Sequence, residues 1–186
     1  MTHEFVHMAL SSPPDNQSRM EEGLATYVEP IARVQVEHLP VRQVWAGTIQ
    51  GMSQGQHNRG DLGLDQTRFW SPTYWGGAMF CLVADVEIHR KTENRKGLQD
   101  ALRAIVAFGG TIYKEWHLSQ VLDKGDKATG TTVLIDMYNQ WKDKPATVEL
   151  ETLGAQLGIQ RSVTDGVELA PTAPLSTIRD AIATRP

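Results

Sequence analysis

The chain has 186 residues, 40% of them hydrophobic and 22% charged, the proportions of a globular domain able to bury roughly 70% of its unfolded surface. Eighteen Lys and Arg against 22 Asp and Glu leave a formal charge of −4, which argues against nucleic acid or an anionic membrane as partner, since both select clustered positive charge. The single cysteine, Cys81, excludes an internal disulfide framework and a Cys-rich zinc module, and the longest apolar stretch, Tyr74 to Ala84, is far short of the ~20 residues that span a bilayer.

Taken in chain order, the periodicity is mostly helical. Met1 to Leu10 reads as a short helix with Phe5, Val6 and Met8 as apolar contacts, and no basic segment followed by an apolar one marks an export signal there. Ser11 to Asn16, with Pro13 and Pro14, reads as a loop. A second helix is expected from about Met20 to Glu37, kinked or broken at Pro30, where a backbone donor is missing. A third spans Pro40 to about Met52, with Val41, Val44, Trp45 and Ile49 on one face.

Gly55 to Thr73 is the longest irregular stretch, of a kind often functional. Tyr74 to about Thr92 is the most apolar helix and the expected centre of the core. Leu98 to Phe108 follows as an amphipathic helix closed by Gly109 and Gly110. Shorter helices are expected near 118–124, 131–142 and 147–157, the last stopped by Gly158. Ile159 to Ala170, with Asp165-Gly166, reads as a small hairpin, and Pro174 to Ala183 as a terminal helix. The fold expected is mainly α, a multi-helix bundle with a small β-hairpin near the C-terminus. Residues 1–157 make the helical domain, and 158–186 a hairpin and helix packed on it.

Chemistry enters at the start of the chain. His3-Glu4-Phe5-Val6-His7 is an H-E-x-x-H motif, for which a chain of this composition offers roughly 0.01 chance occurrences. On a helix the imidazoles at i and i+4 share a face and can converge on one metal ion. Glu4 is placed to act without being a ligand. Zinc brings the pKa of a water to ~7, and a carboxylate beside it can take the released proton as a carbonyl is attacked. Such an ion needs a third protein ligand. Glu21 and Glu22 both stand where a short loop between antiparallel helices would return the chain to His3 and His7, and both also suit the first turn of a helix.

HEFVH followed by EEGLATY resembles the gluzincin metallopeptidases, in particular the aminopeptidase branch with leukotriene-hydrolase-type enzymes and glycyl aminopeptidases. That resemblance implies that His3, His7 and Glu22, rather than Glu21, hold Zn2+, with Glu4 as general base. Tyr74-Trp75-Gly76-Gly77 is similar to the branch's Y-x-x-G segment, which implies that the Tyr74 hydroxyl hydrogen-bonds the oxyanion. Taken from the residues alone, Tyr74 is equally an amphipathic aromatic at a helix start.

The similarity covers residues 3 to about 110, with Tyr74 to Ile105 backing the site. It implies the helical subdomain of a gluzincin, a zinc-dependent and aminopeptidase-like activity, and a peptide or protein substrate. The His-to-Glu gap is shorter than usual in that branch, and the sheet subdomain expected ahead of the motif has no counterpart in the sequence. The 186 residues are therefore expected to be a C-terminal portion of a longer enzyme, with self-association through the face that the sheet would cover. A second reading stays open: a non-catalytic helical binding or structural domain that keeps a vestigial zinc site.

The other candidates are weaker. His38, His57, His89 and His117 show no paired ligand spacing and read as surface or partly buried imidazoles, with His57 the best placed to line a cleft. Cys81 reads as packing between Phe80 and Leu82. Phe69, Trp70 and Trp75 read as core aromatics that could wall the site. No G-x-S-x-G elbow and no phosphate-binding glycine loop is present.

Overall fold

The computed structural model describes residues 2–9, 18–56, 62–65, 70–111, 113, 116–162 and 166–184. It is mainly helical, with α1 (Thr2–Ala9), α2 (Ser18–Gln35), α3 (Val41–Met52), α4 (Trp70–Lys91), α5 (Leu98–Ala107), α6 (Leu118–Thr129), α7 (Val133–Trp141), α8 (Leu150–Gln156) and α9 (Ser176–Ala183). Between α8 and α9, β1 (Ile159–Arg161) and β2 (Val167–Leu169) pair antiparallel, with Gln160 opposite Glu168. The expected Asp165-Gly166 turn lies partly outside the described residues.

Helix α4 is the centre of the bundle because it is apolar nearly all round. Ala78, Met79, Phe80, Cys81, Leu82, Ala84, Val86 and Ile88 are all buried, and α2, α3, α5, α7 and α9 pack around them. The α2–α4 pair is the most extensive contact among the described residues. Met20, Gly23 and Tyr27, spaced i, i+3 and i+7, form the face that α2 turns inward. A Cβ on Gly23 would lie 2.3 Å from both the Cα and the carbonyl carbon of Gly77, so the two backbones touch where only glycine fits.

Three helix limits differ from expectation, each for a physical reason. Helix α2 runs unbroken through Pro30, so packing against α4 outweighs the one missing hydrogen bond. Helix α4 starts a turn before Tyr74, with Pro72 in its first turn, where the absent N–H has no helical partner to lose. Helix α6 continues past Gly125 to Thr129. A Cβ on Gly125 would meet Leu134 Cδ1 at 2.6 Å, so that glycine serves close packing, and Gly130 (φ +70°) ends the helix instead.

Buried polar groups lock the bundle. The Asp85 carboxylate on α4 accepts hydrogen bonds from the Tyr27 hydroxyl of α2 (2.8 Å) and from the Leu98 N–H opening α5 (2.7 Å). Burial pushes the Asp85 carboxyl above the usual carboxylate range, against the pull of Leu98, His89 and Tyr27. Asp126 on α6 accepts from the Leu134 and Ile135 N–H groups, both at 3.0 Å, which satisfies orphan donors at the start of α7. Arg179 on α9 is buried and donates to the carbonyls of Leu157 and Ala170, tying α9 to the hairpin. Strand β2 lies against α3, and α9 against α2 and α4.

Candidate metal centre

Helix α1 packs principally on α2, and this pairing brings the sequence motifs together. His3 and His7 project from one face of α1, with ring centroids 4.8 Å apart. Glu22, in the second turn of α2, meets both. Its Oε2 lies 3.2 Å from His3 Nε2 and 3.5 Å from His7 Nε2. One ligand atom from each of His3, His7 and Glu22 lies within 4.8 Å of the other two, a group that could hold a metal ion. Two imidazoles and a carboxylate are a donor set of catalytic zinc. For bonds of 2.0–2.1 Å the edge of a tetrahedron is about 3.3 Å, close to the two His–Glu separations. The three side chains could thus hold a metal ion, with the two histidine nitrogens drawing together on it.

Glu21 is not a member of this group. Its Oε1 lies 3.2 Å from His7 Nδ1, the nitrogen that faces away from Glu22. A carboxylate only accepts, so Nδ1 would donate to Glu21 and Nε2 would be the nitrogen left to ligate an ion held with Glu22. Both acids proposed from the sequence therefore act on His7, from opposite ring nitrogens.

Tyr74 stands in α4 beside His3, with ring centroids 6.4 Å apart. Burial raises its phenol pKa above the ordinary value, and the Glu22 carboxylate, which accepts its hydrogen bond, and the Glu4 carboxylate push the same way. Glu4 itself is exposed, one residue from His3 and on the Tyr74 side. The backbone contact of Gly23 with Gly77 is what brings Glu22 and Tyr74 together, since each lies within three residues of it.

Two cavities flank the cluster. Behind His7 and Glu21 lies one of about 80 Å3, otherwise lined by apolar side chains such as Val6, Leu24, Phe80 and Leu122. In front of His3, a cleft of about 350 Å3 runs between α2 and α3, and Trp75 forms part of its wall. Trp75 is half-buried, with its ring against Gly51.

The remaining candidates lie elsewhere. His38 and His117 are exposed. His89, read from the sequence as surface or partly buried, is instead buried in the core with Nε2 3.5 Å from Asp85 Oδ1. Its spacing of four from Asp85 was the available signal. Cys81 is buried, and desolvation drives its thiol pKa far up, consistent with a packing role. His57, Phe69 and the Trp70 side chain fall outside the described residues. Among the described residues no helix is long and apolar enough to cross a membrane.

Comparison with protein-family models, curated proteins and solved structures finds no match to the chain.

Proposed function

We propose that the chain is the helical, catalytic portion of a zinc-dependent peptidase of gluzincin type, aminopeptidase-like in action. The observation that supports this reading is the convergence of His3, His7 and Glu22, with their ligand atoms within 4.8 Å of one another. A bound zinc would supply Lewis-acid activation of water and of the substrate carbonyl. His3 and His7 would each offer it an imidazole nitrogen, and Glu22 its carboxylate. Glu21, against Nδ1 of His7, would orient that ring with Nε2 toward the ion. Glu4 takes the proton of the attacking water at its carboxylate and returns it to the leaving amine. Tyr74, whose phenol carries its proton at neutral pH, would donate a hydrogen bond to the developing oxyanion.

Metal content after purification and a competition titration test the ligand set. One zinc per chain is expected, with strong loss of affinity in Glu22→Ala; a metal-free protein, or a Glu22→Ala variant that binds as tightly as the parent, overturns it. Zinc-dependent cleavage of aminoacyl reporters or of a quenched peptide, lost in Glu4→Gln while zinc is retained, supports catalysis. Zinc binding without turnover on either substrate favours a vestigial site.

A further inference from the structure

A further cavity, of about 70 Å3, lies between α2, α4, α5 and α9, and no member of the metal cluster lines it. Part of its wall is polar and buried. His89 is only 4% exposed, and its Nδ1 is buried with no hydrogen-bond partner among the described residues. Leaving such a nitrogen dry costs about as much as losing a hydrogen bond, so buried polar atoms of this kind ordinarily meet a bound molecule.

The other ring nitrogen decides what kind of molecule fits. His89 Nε2 lies 3.5 Å from Asp85 Oδ1, and a Cβ on Gly97 would come within 2.4 Å of it, so that side of the ring is closed. A carboxylate only accepts, so Nε2 would carry the ring hydrogen and Nδ1 would offer a lone pair.

The rest of the polar wall has the same character. Gln35 commits its amide N–H2 group to Gln99 Oε1 at 3.5 Å and to the Thr184 carbonyl at 3.3 Å, which leaves its own Oε1 as an acceptor. The Asp85 carboxylate adds a negative charge, and among the described residues that line the cavity there is no Lys or Arg to balance it. Buried charges are ordinarily paired. A ligand that brings both N–H donors and a positive charge meets both demands.

Size narrows the class. At about 30 Å3 for each water-sized group, a cavity of 70 Å3 takes about two or three non-hydrogen atoms. Val28, Ile31 and Leu102 on its wall suit a short alkyl group. We propose that this cavity binds a small primary ammonium ion, of methylammonium or ethylammonium size, which donates to His89 Nδ1 and Gln35 Oε1 beside the Asp85 carboxylate. The site is independent of the peptidase reading, because it shares no residue with the metal cluster.

Titration of the 15N-labelled protein with methylammonium or ethylammonium chloride, against sodium chloride at the same ionic strength, tests it. The ring nitrogens of His89 report contact at the site, and the Leu98 N–H, which donates to Asp85, reports it from α5. Both should shift saturably, with a Kd of about 0.5–10 mM, the limit for ligands of so few atoms. Tetramethylammonium carries the charge without an N–H and should act as sodium does. His89→Phe should abolish the saturable shift of Leu98. Gln35→Leu, a change at a half-buried position, gives a second reading whether or not His89→Phe folds, and should weaken binding about fivefold through one lost hydrogen bond. No saturable shift up to about 0.1 M, ten times the weakest Kd expected, would mean a cavity that holds water only and would overturn the proposal. An equal response to tetramethylammonium, shifts centred on His3 and His7 instead, or an affinity unchanged in Gln35→Leu or in folded His89→Phe protein would overturn it as well.

Discussion

Replacing Gly23 with alanine tests the junction that brings Glu22, a candidate metal ligand, to Tyr74. The added Cβ would lie 2.3 Å from Gly77 Cα and C and 2.7 Å from the Ala78 nitrogen. Carbon atoms settle at about 3.5–4.0 Å, so α2 and α4 must separate by roughly 1.5 Å. The obstacle is backbone, and no rotamer change relieves it. Overpacking of this kind costs about 3 kcal/mol, which at 2–4 °C per kcal/mol for a chain of this length lowers Tm by about 6–12 °C. The shift also exceeds the ~0.5 Å tolerance of a binding constellation, so zinc affinity should fall at least ~10-fold even where the variant is fully folded. Gly47→Ala is the control. Its Cβ would meet nothing within 4 Å, on an exposed position inside α3, so it should stabilise by about 1 kcal/mol. Scanning calorimetry and a zinc competition titration below the variant's transition read both quantities. A Gly23→Ala protein with the parent's Tm and zinc affinity would refute the close crossing and the site geometry that depends on it.

Three further outcomes follow from contacts in the structure. Glu21→Ala should weaken zinc binding about 10–100-fold, with Glu21→Gln recovering part of the loss because its amide oxygen still accepts from His7 Nδ1; equal affinities for all three proteins would remove Glu21 from the site. Asp126→Ala leaves the Leu134 and Ile135 N–H groups without their acceptor and should cost about 2–4 kcal/mol in urea unfolding, a value near zero showing that water or another group replaces it. Asp85 gives a pH dependence. Its folded pKa is raised, so its contribution is greatest below the unfolded aspartate value of ~3.9 and is lost as pH rises from there through the folded pKa, with Tyr27, Cys81, His89 and Asp100 as the titratable neighbours. Stability should therefore fall more steeply above pH ~4 in the parent than in Asp85→Asn, and parallel curves would contradict the assignment.

The helices were legible wherever a single local signal decided them. The apolar run from Ala78 to Ile88 could only be a central helix, and the i, i+4 spacing of His3 and His7 put them on one face. What escaped the sequence depends on partners distant along the chain. Pro30 and Gly125 both carry breaker signals, yet each sits inside a helix, because the contacts of α2 with α4 and of Gly125 with Leu134 outweigh local preference. Glu21 and Glu22 are chemically identical neighbours, and only the rotation of about 100° between successive helical residues gives them different nitrogens of His7. Asp126 carried no motif at all. Its role exists only because α7 begins beside it.

The two halves of the centre differ in how firmly they are set. Glu22 and Tyr74 flank a backbone-to-backbone contact between α2 and α4, the most extensive helix pair among the described residues, so the separation of their backbones is fixed by atoms that have no rotamers. His3 and His7 stand on a helix of eight residues, below the length at which a helix is stable by itself. That helix exposes Phe5, half-buries Val6, and packs principally on α2. The polar contacts of His3 with Glu22 and of His7 with Glu21 and Glu22 help to set its position on α2. Those contacts are also the ones an ion would reorganise. A metal joining the three candidate ligands would thus act as a staple between a preset edge and a short helix. On the proposed ligand set, metal binding and the placement of α1 on α2 would be linked, which is why substitutions at Gly23 and Glu21, neither of them in the triad, are expected to register in metal affinity.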